Sequence, residues 1–430
     1  MPEKNIQAAR GVKDILPEEQ KYWFWVERTW QEVVHASGFE RIILPTFEPT
    51  ELFKRSVGEF TDIVSKQMYT FKDLGNNSIT LRPEGTAGTV RAYLEHGMRT
   101  LPQPVKLYYW GPMYRYERPQ AGRFREFYQV GLEMFGDDTP MADVSMIQSI
   151  LRFYKKLGLS DIVVKVNTLG TVRSRTKAMA TLSKMLGKNK KNLCEDCKIR
   201  AKKNPLRVLD CKTIKCQEII AEAGNILMDS LDKESKRRFT KVLEHMDELK
   251  LEYELDPGLV RGLDYYTHTV FEIVIRGNEE TVLGGGGRYD DLVKTLGGPS
   301  TPAIGFAVGV ERVINTMKAQ SVTIPEIPKA DVFIVQLGNR AKDKAQNVMT
   351  KLEEEDLKVA SLIGKKGSIQ GQLKLASQLH VPLAIIIGDQ EIHDKNIILR
   401  DMQDRSQETV IDRKIVAMVK QKLEEKKIEV

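Results

Sequence analysis

No stretch of this 430-residue chain approaches the run of roughly 20 apolar residues that a membrane span needs, which excludes transport functions built on such helices. The opening MPEKNIQAARGVKDILP has no apolar signal-peptide core either, so a cytoplasmic address without a membrane partner is expected. Cysteine is scarce: the four residues all lie between Cys194 and Cys216, which excludes a disulfide framework for the rest of the chain. Their spacing, C-x2-C, thirteen residues, then C-x4-C, can supply tetrahedral zinc. The second pair is untidily spaced, so four reduced structural thiols without a metal are the expected reading, with zinc as the alternative. Neither charge sign dominates, since 66 basic against 59 acidic side chains leave +7, which permits a polyanionic partner without identifying one. Both common nucleotide loops are missing: neither GGGGRYD at 284–290 nor GKKGS at 364–368 has the P-loop or Rossmann spacing. The length implies two or three units, each able to bury a core.

What is present is concentrated in residues 113–135, MYRYERPQAGRFREFYQVGLEMF. With 113–117 as one strand and 125–135 as the next, the two-residue period sends Arg115 and Glu117 to one side of a hairpin. Phe127, Gln129, Gly131 and Glu133 share that face on the return strand. Tyr114, Tyr116, Tyr128, Val130, Leu132 and Met134 take the other and can rest on a core. Residues 118–124, with Pro119, Gln120, Gly122 and Arg123, read as an exposed cationic loop. The bland reading is a hairpin whose polar face is simply wet. Unpaired buried charge is costly, however, and so dense a charged face calls for a charged ligand.

Along the chain, 18–37 reads as a helix with Trp23, Val26, Trp30, Val33 and Val34 at helical spacing, buried by a core or by a second subunit. A strand at 79–82 runs into Glu84, Gly85 and Thr86 before a helix at 89–97; these residues are a helix cap or the start of a site. A strand at 105–110 leads into the hairpin. Residues 173–234 are lysine-rich and helical in patches, an inserted small domain whose basic run at 188–203 is first of all a solvated face. The stretch LVRGLDYYTHTVFEIVI at 259–275 sets Arg261, Asp264, Tyr265 and Tyr266 before a buried strand. AIGFAVG at 303–309 feeds a helix with Glu311 and Arg312 in its first turn, a ready place for phosphate oxygens. After a proline-bearing linker at 321–329, alternating strands and helices over 330–430 describe a compact α/β unit.

These stretches resemble the bacterial-type histidyl-tRNA synthetases, members of the class II aminoacyl-tRNA synthetases, over essentially the whole chain. The helix and strand of 23–45 match the motif that forms the class's dimer interface, YRYERPQAGRFREFYQ the second class motif, and AIGFAVGVERV the third. LVRGLDYYTHTVFE and GGGGRYD resemble signatures of the histidine enzyme. The resemblance implies an α+β fold: a class II antiparallel sheet flanked by helices at 1–325, the inserted helical domain, and a C-terminal α/β anticodon-binding domain at 330–430. It also implies a homodimer acting on ATP, Mg2+, L-histidine and tRNA(His). Arg115 would hold the α-phosphate of ATP, Arg123 and Arg312 the γ-phosphate, Phe127 the adenine ring, with Glu117 at its amino edge. Histidine would be received by Glu84, Gly85, Thr86, Arg115 and Gln129, with Glu133, Tyr265 and Tyr266 around the imidazole. Arg261 would contact both carboxylate and phosphate as a catalytic residue alongside Arg115, and Gln120 would meet the tRNA. The rivals are a catalytically inactive paralogue serving a histidine-biosynthetic enzyme, whose kind typically lacks both the C-terminal unit and the arginine at 261, and a plain RNA-binding scaffold.

Overall fold

A computed structural model describes residues 6–59, 61–118, 122–325, 330–362 and 368–428. Gln120, residues 364–367 of GKKGS and linker residues 326–329 therefore lie outside the described residues. The chain divides into two compact units, Met1–Ile324 and Pro325–Val430.

An eight-stranded sheet organises the first unit, in the order Glu40–Arg41, Val105–Tyr114, Glu126–Phe135, Ala303–Gly309, Asn278–Arg288, Thr267–Ile275, Ile162–Thr168 and Tyr253–Leu255. Its six inner strands are antiparallel, and a short parallel strand closes each edge. With helices packed against it, this is the expected α+β architecture. One face carries the main core. Val130, Leu132 and Met134 point into it, beside Trp23, Val26, Trp30, Val33 and Val34 of helix Gln20–Ala36. Trp30 meets Phe153 of helix Pro140–Leu157 edge-on at 5.0 Å. The latter helix has clear local causes: Thr139 accepts from the Ala142 N–H, Pro140 stands in the first turn where no N–H is needed, and Gly158 ends it at φ +85°. Its Asp143 meets Arg288 at 2.6 Å, both fully buried, and this pair ties the end of strand Asn278–Arg288 to the helix start.

The hairpin differs from expectation in its first arm. Residues 105–110 and 113–117 are not two strands; one strand runs Val105–Tyr114, and Arg115 and Glu117 lie just beyond it. Gly111 and Pro112 do not interrupt it because the Pro112 carbonyl accepts from Arg82 Nε at 2.8 Å, so a side chain rather than a strand covers that edge and no ladder N–H is missed. The Arg115 N–H still reaches the Arg125 carbonyl at 2.9 Å, which keeps Arg115 in the face alternation.

The lysine-rich insert forms helices Val172–Lys188, Glu195–Lys203 and Ile214–Ser230. Its Leu182, Leu186, Cys197, Cys216 and Leu227 share one apolar cluster with Tyr265, Tyr266 and Tyr289 from the sheet's other face. The next helix, Lys233–Glu248, instead sends Phe239, Val242 and Met246 into the main core.

In the second unit, strands Val359–Ser361, Val332–Gln336 and Leu383–Ile387 are parallel, and Asn396–Asp401 and Gln407–Ile411 add antiparallel strands. The alternation over 330–430 includes strand Gln407–Ile411, and the last helix begins at Ile415. The strand is a polar edge with Val410 alone buried, so it offers almost no alternation to read.

Candidate active site

The face of the sheet opposite the main core is lined by two adjoining groups of side chains. The first is a carboxylate pocket. Glu133 is fully buried, and its Oε1 accepts from the Thr86 hydroxyl at 2.7 Å while its other oxygen accepts from the Tyr289 hydroxyl. Gly305 stands across the strand pair from Glu133, where a Cβ would overlap the carboxylate, so the carboxylate's position depends on that glycine. Burial, reinforced by nearby Glu84, pushes the Glu133 carboxyl up to about 8. Glu84 itself accepts from the N–H groups of Thr86 at 2.7 Å and Ala87 at 2.9 Å, capping helix Thr86–Glu95. That helix starts three residues before the sequence reading put it. The cap and the site are thus the same residue, and burial raises its carboxyl too. Gly85 lies against the Tyr109 ring. Tyr265 stands 4.7 Å from Tyr266 and 5.6 Å from Tyr289, ring to ring, and the side-chain oxygen of Gln129 is buried with no hydrogen-bond partner among the described residues.

The second group is a cationic cavity. Arg115, Glu117, Arg123, Phe127, Arg261 and Arg312 line it together, over the backbone of Gly284, Gly285 and Gly309. Arg115 is held by the Pro83 carbonyl at 2.8 Å and lies over Phe127 at 5.2 Å. Arg312, in the first turn of helix Val310–Ala319, donates to the Val282 carbonyl at 2.7 Å. Desolvation lowers its pKa, and crowding by Arg123 and Arg115 adds to the effect. Arg123 is half exposed and 3.8 Å from Glu117. The Arg261 guanidinium pairs with Glu272 and rests above Gly285, where a Cβ would displace it. Its Nε is buried and unpartnered among the described residues. Four guanidinium groups around one small cavity, facing few carboxylates, make a polyanion the ligand that relieves the most strain. A larger cavity of about 710 Å3 lies elsewhere, lined by Arg55, Arg91 and Arg99 together with Glu51 and Glu95, so its charge is closer to balance.

Arg115 and Arg261 form the seam between the groups. Glu84, Tyr265 and Tyr109 lie close enough to Arg115 to bias its charge, and Arg261 lies over Tyr266 at 5.9 Å. A small zwitterion and a nucleoside polyphosphate could meet there. The sequence reading gave no role to Tyr109, Tyr289 or Glu311. Tyr109 pairs with Gly131 and falls on the site face, which its register would have revealed had the strand been continued through Pro112. Tyr289 sits inside GGGGRYD. Glu311 accepts from the Tyr128 N–H at 2.9 Å, and burial pushes it up to about 7.

The family model described as histidyl-tRNA synthetase matches residues 11–313, and that of the anticodon-binding domain residues 331–422. A histidine–tRNA ligase of Natranaerobius thermophilus is 42% identical over 398 residues, 92% of this chain and 94% of that one. One from Acetivibrio thermocellus is 44% identical over 407 residues, covering 94% and 97%. The crystal structure of apo histidyl-tRNA synthetase from S. aureus superposes with a TM-score of 0.81 at 36% identity, covering 97% of this chain and all of that one. The family model over residues 11–313, relatives 42% and 44% identical over nearly the whole chain, and the fold shared with the S. aureus protein place the chain in the histidyl-tRNA synthetase family.

Proposed function

We propose that this protein activates L-histidine with ATP and transfers it to the 3′ end of tRNA(His). The observation that carries the reading is the seam at Arg115 and Arg261, which line the cationic cavity and stand beside Glu84 and Tyr266 of the acidic pocket. In the first step a histidine carboxylate oxygen attacks the α-phosphorus; the new O–P bond forms as the α–β bridge breaks, and pyrophosphate leaves. Two anions must approach each other, so fixed positive charge at the α-phosphate is the central requirement, and Arg115 and Arg261 supply it. Arg312 and Arg123 hold the γ-phosphate, Phe127 stacks on adenine, and Glu117 accepts from its amino group. Glu84, Thr86 and Gln129 take the α-ammonium, with Gly85 letting the backbone come close. Glu133, Tyr265 and Tyr266 surround the imidazole, and Tyr289 holds Glu133 in place. In the second step a terminal ribose hydroxyl of the tRNA attacks the histidyl carbonyl carbon and AMP departs.

Glu117 and Glu311 line the cavity without forming an acidic cluster, so Mg2+ would enter with the nucleotide rather than on a protein cage, and would supply charge neutralisation at the phosphates. Tyr128 already holds Glu311 by its N–H. Exposed Phe24, Ile43 and Phe47 near the first class motif support a homodimer through that surface, with fractional exposures of 50%, 80% and 57%. No helix among the described residues is long and apolar enough to cross a membrane. A cytoplasmic place of action fits the proposed reaction. Transfer RNA would be gripped by the C-terminal unit at the anticodon, and by the loop holding Gln120 and the basic insert at the acceptor end.

A chain ending at Ile324 tests this division. It should retain histidine-dependent adenylate formation and lose most charging of tRNA(His), while charging by the full chain should weaken as salt rises, because phosphate contacts release counterions. Undiminished charging by the shortened chain would remove the C-terminal unit from tRNA recognition.

A further inference from the structure

The four cysteines of the insert converge on one point. Cys194 caps helix Glu195–Lys203 and Cys197 lies in its first turn; Cys211 follows the turn Pro205–Val208, and Cys216 lies in the first turn of helix Ile214–Ser230. All four Sγ atoms fall within 4.8 Å of one another. Among the described residues, this is the one group of three or more side chains able to share a metal ion. From this geometry we infer that Cys194, Cys197, Cys211 and Cys216 bind a single structural zinc ion.

Several observations separate this from the bland reading of four reduced core thiols. A regular tetrahedron with Zn–S bonds of about 2.3 Å has sulfurs about 3.8 Å apart, and Cys194 and Cys211 stand at 3.8 Å. That distance is far beyond the roughly 2.05 Å of a disulfide, and all four residues are free cysteines. Thiols that only fill a core have no reason to point all four sulfurs at a common centre. Backbone N–H groups also aim at the sulfurs: Cys197 N–H at Cys194, Thr213 N–H at Cys211 and Cys194 N–H at Cys216, at 3.5, 3.4 and 3.3 Å. Such donors stabilise thiolates, as do the helix N-termini that carry Cys194, Cys197 and Cys216. Cys197, Cys211 and Cys216 are buried and Cys194 partly so, a closed four-ligand environment with no position left for substrate. The sulfurs lie too close together to enclose an iron–sulfur cubane but fit around one ion.

The segment that the ion would clamp reaches the active site. Between the two pairs, Asn204 donates to Asp264 at 2.9 Å and Arg207 donates to the Arg261 carbonyl at 3.0 Å. Zinc would therefore fix the backing of Arg261, a consequence that rests on the proposed role of that arginine; the metal site itself does not.

Full-length protein made in zinc-supplemented medium should contain one zinc per chain by mass-spectrometric metal analysis, and release it when a mercurial titrates the thiols. Cobalt exchanged into the site should give thiolate-to-metal charge-transfer bands and the visible d–d bands of a tetrahedral ion. Cys194→Ser, at the most accessible ligand, should lower metal content at least about tenfold and reduce the Tm. Cys194→His should keep the metal, since imidazole is also a zinc ligand. Because the wild-type metal content and cobalt spectrum need no variant, a Cys194→Ser chain that fails to fold does not shelter the inference. Metal-free protein whose four thiols react freely in the native state would overturn it, as would bound iron in place of zinc, or zinc retained in full by folded Cys194→Ser. A zinc-loaded chain that makes no histidyl-adenylate would leave the metal site standing and count against the proposed function instead.

Discussion

Replacing Arg261 with alanine is expected to cut the rate of adenylate formation by roughly 100- to 1000-fold, the cost of about 3–4 kcal/mol seen when one fixed charge-stabilising donor is lost from a transition state. Arg261 is placed for that task. Its guanidinium lies over a glycine backbone at the seam, and its buried Nε has no partner among the described residues. A purely structural role must be distinguished, because Arg261 also pairs with Glu272, and removing one member leaves a mostly buried carboxylate unpaired. The double variant Arg261→Ala/Glu272→Gln removes that stranded charge. It should recover thermal stability without recovering rate. Single-turnover measurement of ATP cleavage, beside a melting curve, reads both. Near-normal turnover in a folded Arg261→Ala protein would take Arg261 out of the mechanism. Gly285→Ala should approach the same loss, since a methyl group there displaces the guanidinium.

Glu133 should govern the other substrate. Glu133→Ala is expected to raise the histidine KM about a hundredfold, in line with the roughly 3 kcal/mol of a buried hydrogen bond to a charged group, while leaving the ATP KM nearly unchanged. The pH dependence is more specific. In the empty pocket Glu133 keeps its proton up to about 8, whereas a free imidazole holds its own only below about 6.5. A bound pair sharing one proton therefore forms without net proton exchange between those values. Above them it must take up a proton, and below them release one. Histidine affinity should be flat from pH about 6.5 to about 8 and fall on either side, approaching tenfold per unit. Glu133→Gln should remove the alkaline break near 8. The same raised pKa bears on folding: its stabilising contribution is complete below the unfolded value near 4.5 and is lost as pH rises through about 8. Equal damage to both Michaelis constants, or to neither, would mean that the imidazole is read elsewhere.

The parts of this site that could be read from residues alone share a cause. Period-two alternation fixes a face, and Phe127, Gln129 and Glu133 lie on one uninterrupted strand, so one register decides all three. Strand Ala303–Gly309 and the arginine-bearing helix after it were legible for a similar reason, since a run of small and apolar residues passes directly into helical spacing. Arg115, Glu117, Arg123 and Phe127 of the hairpin stretch then meet Arg312, from a helix almost two hundred residues further on, in one cavity. What alternation missed was set by tertiary contacts. Strands at 105–110 and 113–117 are in fact one, because Arg82 covers the edge at Pro112, and the continuous register puts Tyr109 on the site face. Tyr289 reaches Glu133 through a fold contact across 156 residues, which no local pattern encodes. The cysteine spacing alone left metal and core readings open, because spacing does not say where sulfurs point. Their convergence depends on two helix starts meeting within the insert.

The central claim, that histidine and ATP react at the seam of these two groups, is tested most directly by histidine-dependent exchange of labelled pyrophosphate into ATP, with Mg2+ present and tRNA omitted. Exchange should be rapid with L-histidine and near background with each of the other proteinogenic amino acids. Folded protein that gives no exchange with histidine would contradict the account and favour the catalytically inactive reading, and equal exchange with other amino acids would contradict the pocket assigned to the imidazole.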